Sequence, residues 1–194
     1  MINFEQYLAE RSIPGKLNII KRKVTEDELR EMVKNKDSGI ADVDVSEVTN
    51  MKELFENSDF GGSWTADLSG WDISNVTDMR GMFARCSSLK EINLPRTENV
   101  KDMSWMFNGC TKLTKVELPH TENVKSMWSM FYLCSGLTKV ELPHTENVKS
   151  MWSMFKGCTS LEQDFSKWDI SNVKHKANMF DGTKVTKFPK GYKQ

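Results

Sequence analysis

LTKVELPHTENVKSMWSMF runs from Leu113 to Phe131, and the same letters run again from Leu137 to Phe155. The offset between the copies is 24 residues, and Cys86, Cys110, Cys134 and Cys158 keep the same offset. Self-similarity at a fixed period of this length marks a stacked array, in which each unit is one small structural element packed on its neighbours. One unit cannot bury its own apolar side, whereas a stack can. The expectation is therefore a solenoid.

Working outward from the duplicated stretch, the array extends in both directions. The aligned segments are EVTNMKELF ending at Phe55, NVTDMRGMF at Phe83, NVKDMSWMF at Phe107, NVKSMWSMF at Phe131, NVKSMWSMF at Phe155 and NVKHKANMF at Phe180. Successive phenylalanines are 28, 24, 24, 24 and 25 residues apart. The longer first interval holds ENSDFGGSWTAD, where Gly61, Gly62 and Ser63 point to a surface loop. Phe60 and Trp64 in that loop are candidate contact residues, because loops inserted in arrays often lie on the binding side.

Each unit reads as two halves. Leu113, Val116 and Leu118 with Lys115 and Glu117 between give a strand of three to five residues, ended by Pro119. Val124, Met127, Met130 and Phe131 then predict one stripe of a short helix, with Thr121 as its N-cap and Glu122 near its positive end. Stacking should place like residues in columns: the phenylalanines, the cysteines, and Leu89, Leu113, Leu137 and Leu161. The last unit departs from the pattern, with Lys176 where the middle units carry Met127 and Ala177 in place of Trp128. A polar last rung is expected at the end of a stack.

The first 45 residues are not repeats. NFEQYLAER predicts a helix and KLNIIKRKV a strand. TEDELREMVKN opens with a capping box, Thr25 to Glu28, and sets Leu29, Met32 and Val33 on one face. The division is then an α/β cap over residues 1–45 and an array over 46–194, together an α/β solenoid of about six units with a right-handed, leucine-rich-repeat-like coil.

Composition narrows the function. Lys plus Arg and Asp plus Glu are 27 each, and this balance argues against general binding to nucleic acid, which needs phosphate neutralisation. Nucleic acid would then be met only through a partner complex. No stretch is apolar enough to span a membrane, and MINFEQYLAERSIPGK lacks the apolar run of an export signal. A cytoplasmic location is expected, or a surface-exposed one if the sequence is a trimmed piece. No paired carboxylates, nucleophile–base set or phosphate loop is visible, so no enzyme and no cofactor are expected. One Cys per unit, without C-x-x-C, favours buried thiols over a metal site.

WDISNVTDMRGMFARCSSLKEINLP at Trp71–Pro95, FSKWDISNV at Phe165–Val173 and the lead-in ELREMVKNKDSGIADVDVSEVTNMKELF carry a family resemblance. They resemble the BspA-like leucine-rich repeats, in the bacterial surface-protein branch built on W-D-x-S-N-V-x-x-M-x-x-M-F. The middle units depart from that pattern, with LPRTEN or LPHTEN in place of W-D-x-S. The resemblance implies a solenoid with parallel strands on one face and a role in interaction, often adhesion at a bacterial surface, without catalysis. Short intracellular relatives of bacterial and phage origin imply an alternative, an inhibitor of a bacterial defence enzyme or ribonucleoprotein complex.

Several columns are candidate partner-binding residues. Lys115 and Lys139 should lie side by side on the strand face, as should Glu117 and Glu141, giving either a solvated face or a charge-patterned docking surface. Arg96, His120 and His144 share a place after the strand and form either a cationic rim or a turn duplicated with its neighbours. Trp128 and Trp152 share a column, with Trp105 displaced by one position; they are interface anchors or plain packing. The lysine-rich end TKVTKFPKGYKQ reads as a solvated tail. The leading expectation is a non-enzymatic module that presents a rigid repeat surface to a protein partner.

Overall fold

The computed structural model describes residues 21–59, 64–94 and 97–193. The helix expected at NFEQYLAER lies outside them, as do Phe60 and Arg96. Helix α1, Glu26–Lys34, begins with the expected capping box: the Thr25 hydroxyl accepts from the Glu28 N–H at 3.2 Å and the Glu28 carboxylate accepts from the Thr25 N–H at 2.9 Å. Leu29, Met32 and Val33 are buried. Of the strand expected at KLNIIKRKV, the described part makes one parallel bridge, Lys23 to Asp44. The helix is tied to the first repeat by Arg30, whose guanidinium donates to the Lys52 carbonyl at 3.1 Å. A second tie is the buried Trp71 indole, which donates to the Ile40 carbonyl at 3.1 Å.

Behind this cap the chain makes successive parallel passes. Single bridges connect Asn50, Asp78, Asp102, Ser126, Ser150 and His175 in an unbroken parallel series. The strand halves pair in the same sense. Strand β1, Trp64–Asp67, lies parallel to β2, Leu89–Asn93; β3, Lys115–Glu117, lies parallel to β4, Lys139–Glu141. In the second pair Lys115, Val116 and Glu117 face Lys139, Val140 and Glu141, so the register equals the sequence period. The end of the inserted segment is thus strand and not loop at Trp64. Its WTADL ending alternates, and β2 offers it an edge to pair with.

The expected short helices do not form, and the backbone explains why. The residue two before each array phenylalanine is left-handed: Glu53, Gly81, Trp105, Ser129, Ser153 and Asn178 all have φ between 51° and 64°. The residue two after it is left-handed as well, at Asn57, Arg85, Gly109, Leu133, Gly157 and Gly182. A right-handed helix cannot pass through such positions, each of which costs a non-glycine residue about 1–2 kcal/mol. The segment is instead a run of tight turns, for example Met130 N–H to Met127 C=O at 3.3 Å and Cys134 N–H to Phe131 C=O at 3.1 Å. The N–H groups that a helix would use internally point to the next unit. Met127, Ser129 and Phe131 each donate, at 2.9 Å, to Ser150, Trp152 and Met154. The spacing of apolar residues cannot separate the two cases, because turns closed every three residues return side chains to the same side.

Thr121 accordingly caps no helix. Its hydroxyl donates to the His144 carbonyl of the next unit at 2.6 Å. Asparagines perform the converse tie: Asn75, Asn99, Asn123 and Asn147 each donate to a backbone carbonyl of the preceding unit, at 2.7–2.8 Å. This is the physical reason for the recurring Asn-Val.

The core is a stack of columns. Ring centroids of successive array phenylalanines from Phe55 to Phe180 are 5.0–5.7 Å apart, with planes within 19° of parallel. Cys86, Cys110, Cys134 and Cys158 are buried, and each thiol donates at 2.9–3.0 Å to a phenylalanine carbonyl of the preceding unit. At the far end, Lys176 reaches out of the methionine column to the Ile170 carbonyl at 3.0 Å. The lysine-rich tail is not simply solvated. Phe188 and Tyr192 fold back onto Phe180, at 5.5 and 5.2 Å between ring centroids, and cover the last rung.

Candidate functional site

Three sets of residues stand on the surface of this stack. The first is the strand face. Lys115 and Glu117 pair with each other within β3, and Lys139 with Glu141 within β4. Each ion is therefore neutralised by its own strand neighbour. The Glu117 carboxylate holds the Lys115 ammonium above its ordinary pKa, and Lys139 holds the Glu141 carboxyl below its own. Lys115 and Glu117 border a depression of about 600 Å3 shared with residues 91–94. The outward Lys115 and Lys139 column does not continue at Gln163, the position 24 residues after Lys139. That side chain turns onto the open edge of β4, where its amide accepts from the Val140 N–H at 2.8 Å and donates to the Val140 carbonyl at 2.9 Å. Gln163 thus stands in for a further strand and closes the edge.

The second set is the rim. His120 and His144 are brought together by one carboxylate: Glu122 lies 3.7 Å from His120 Nδ1 and 3.5 Å from His144 Nε2. Glu146 is 3.7 Å from His144 Nδ1. The backbone N–H of Glu122 and the two imidazoles hold its carboxyl below the usual range. The described part of the rim is therefore a mixed His–Glu row. Among the described residues no group of three or more His, Cys, Asp or Glu side chains is arranged to hold a metal ion.

The third set is aromatic. Trp105, Trp128 and Trp152 are each 40% exposed and pack edge to face, with centroids 5.5 and 5.7 Å apart. The one-position displacement of Trp105 does not remove it from the row. A groove of about 360 Å3 runs beside Trp105 and Trp128, bordered by Arg80, Asp102, Ser104 and Ser126. Of Trp64, only the backbone placement in β1 bears on the site.

A fourth column was not singled out from the sequence. Lys101, Lys125, Lys149 and Lys174 stand at matching positions, all exposed and forming no ion pair with a described residue. Their backbones are bonded in series, Lys125 N–H to Lys101 C=O and Lys149 N–H to Lys125 C=O at 2.8 Å, then Lys174 N–H to Lys149 C=O at 3.0 Å. The signal was the Lys of each Asn-Val-Lys; a balanced total charge hides a column of one sign.

The thiols belong to no site. Burial pushes Cys86 and Cys158 up to about 12, and Cys110 and Cys134 up as well. A thiol in that state is a poor nucleophile. Native protein at pH 8 should leave all four unreactive toward a thiol reagent, with four equivalents reacting in guanidinium chloride. Rapid labelling of Cys134 in the native chain would contradict its placement.

What these residues define is a stack of repeats that carries its polar and aromatic residues in columns on the outside. Its sequence matches a family model twice, over residues 27–142 and over residues 114–191. The chain belongs to this family, described as Mycoplasma protein of unknown function, DUF285. The two matches overlap across β3 and β4, as two frames on one repeating pattern would. No curated protein and no solved structure shows a match to it. No helix among the described residues is long and apolar enough to cross a membrane.

Proposed function

We propose that the stack is a leucine-rich-repeat-like right-handed solenoid that works as a non-enzymatic protein-binding module. It acts by rigid presentation: the columns are fixed by inter-unit hydrogen bonds before a partner arrives, so little conformational entropy is lost on binding. The observation that carries the reading is the row of three exposed tryptophans packed edge to face along the outside of the stack. Buried apolar columns already satisfy the fold, and large exposed aromatics are typical of interface anchors. The self-paired strand face fits a solvated surface better, since exposed pairs contribute under about 1 kcal/mol.

Affinity capture from a bacterial lysate, with mass spectrometry and size-exclusion chromatography of the product, tests this reading. The expected result is one protein, or one defined complex, retained in fixed stoichiometry. Retention of nothing beyond what a denatured control retains would remove the binding-module reading.

A further inference from the structure

The geometry points to an acidic amphipathic helix of a partner protein as the occupant of the tryptophan row, its charged flank lying on the lysine column. This rests on the binding-module reading and names the face and the chemistry.

The columns on this side run in a fixed order. In the units of Trp128 and Trp152, the sequence Lys-Ser-Met-Trp places Lys125 and Lys149 three residues before the tryptophans. Met127 and Met151 are buried, so the hydroxyl residues Ser126 and Ser150 are what separates the two exposed columns. No carboxylate stands between lysine and tryptophan in these two units. Beyond the lysines lies the Glu98, Glu122 and Glu146 column, three residues earlier in each unit. At the other end of the groove Arg80 is held by Asp78 at 2.6 Å and by Asp102 at 3.9 Å. The lysine column is thus a strip of exposed positive charge flanking the Trp128 and Trp152 part of the aromatic row, while Glu53, Glu56 and Asp102 border the groove at its Trp105 end.

Spacing selects the form of the partner. The Trp105 N–H donates to the Trp128 carbonyl at 2.9 Å, and units joined in this way rise by about 4.7–4.9 Å, nearer the roughly 5.4 Å pitch of an α-helix than the repeat of an extended strand. A helix along the column would set one apolar residue per turn against each tryptophan, at i, i+4 and i+7. Side chains on one face of an extended strand repeat at about 6.6–6.8 Å and drift out of step. A single-stranded nucleic acid needs open ring faces for base stacking. Here each ring meets the edge of the next, at 76° and 60° between planes, and leaves no slot. The lysine column then favours Glu or Asp on one flank of the helix, and the glutamate column beyond it penalises a helix displaced sideways.

The probe is a tryptophan-free peptide of about 18 residues, with leucines on one stripe and glutamates on one flank. Binding is followed through the fluorescence of the native tryptophans. The peptide should bind at least about 10-fold more tightly than a scrambled isomer of the same composition. The double variant Lys125→Glu/Lys149→Glu should lose about 10-fold in affinity for it and gain affinity for the lysine-flanked counterpart. Trp128→Ser/Trp152→Ser, with its fold checked by circular dichroism, should abolish binding. Equal binding of the peptide and its scrambled isomer overturns the inference. So does an unaltered affinity after charge reversal, or tighter binding of an oligothymidylate of similar length. If lysate capture still yields a stoichiometric protein while these variants capture it undiminished, this face is wrong and the binding-module reading stands.

Discussion

Replacing Phe131 by alanine should lower the unfolding free energy by about 3–5 kcal/mol. Phe131 is fully buried, and its ring lies 5.5 Å from both Phe107 and Phe155. The backbone on both sides is fixed by inter-unit hydrogen bonds, so the cavity cannot collapse without breaking them. Urea denaturation of the variant beside the parent gives the number. Phe180→Ala makes a useful contrast, because that ring has an array neighbour on one side and the Phe188 and Tyr192 lid on the other. A loss below about 1 kcal/mol at Phe131 would mean that the phenylalanine column does not carry the core.

Met127→Lys should cost about 4 kcal/mol or more, the range reached when a charge is buried without a partner. Nature has made the equivalent choice once, at Lys176 in the last unit. There the side chain is half-buried, and its ammonium reaches the Ile170 carbonyl at 3.0 Å. At Met127 the neighbouring rungs are Met103 and Met151, all fully buried, and no such exit exists. The reverse change, Lys176→Met, should shift stability by less than about 1 kcal/mol. The denaturation midpoints of the two variants check both expectations. A tolerated lysine at 127 would show that the middle of the stack is open to water.

The columns were legible because they depend on period alone. Counting 24 residues from Phe107 to Phe131 to Phe155 identifies residues whose rings meet, whatever the backbone does between them. The backbone itself was not legible. Val124, Met127, Met130 and Phe131 have the spacing of a helical stripe, and the left-handed residues that forbid a helix are Trp105, Ser129 and Leu133 as well as glycines. Only Gly81, Gly109, Gly157 and Gly182 announce such a conformation by being glycine. Tertiary hydrogen bonding holds the others there. At the surface, Trp128 and Trp152 were recognised as a pair, but the lysine column was lost in a neutral total charge. Gln163 could not be read as an edge cap, since its role depends on β4 ending the paired strands. The folded tail was hidden by its lysines, which mask Phe188 and Tyr192.

Successive units stack in register at a fixed period, so a chain from which one whole period is excised should still fold. Removing residues 116–139 joins Lys115 to Val140, restoring Lys-Val-Glu-Leu-Pro-His at the junction and leaving every column intact one rung shorter. This chain should fold cooperatively, keep the circular dichroism of the parent per residue, and hold its remaining cysteines protected. Removing residues 116–137 instead shifts all later columns by two positions and should give a chain that does not fold. If both excisions fold equally well, or if neither does while other changes are tolerated, the units do not stack in the register described.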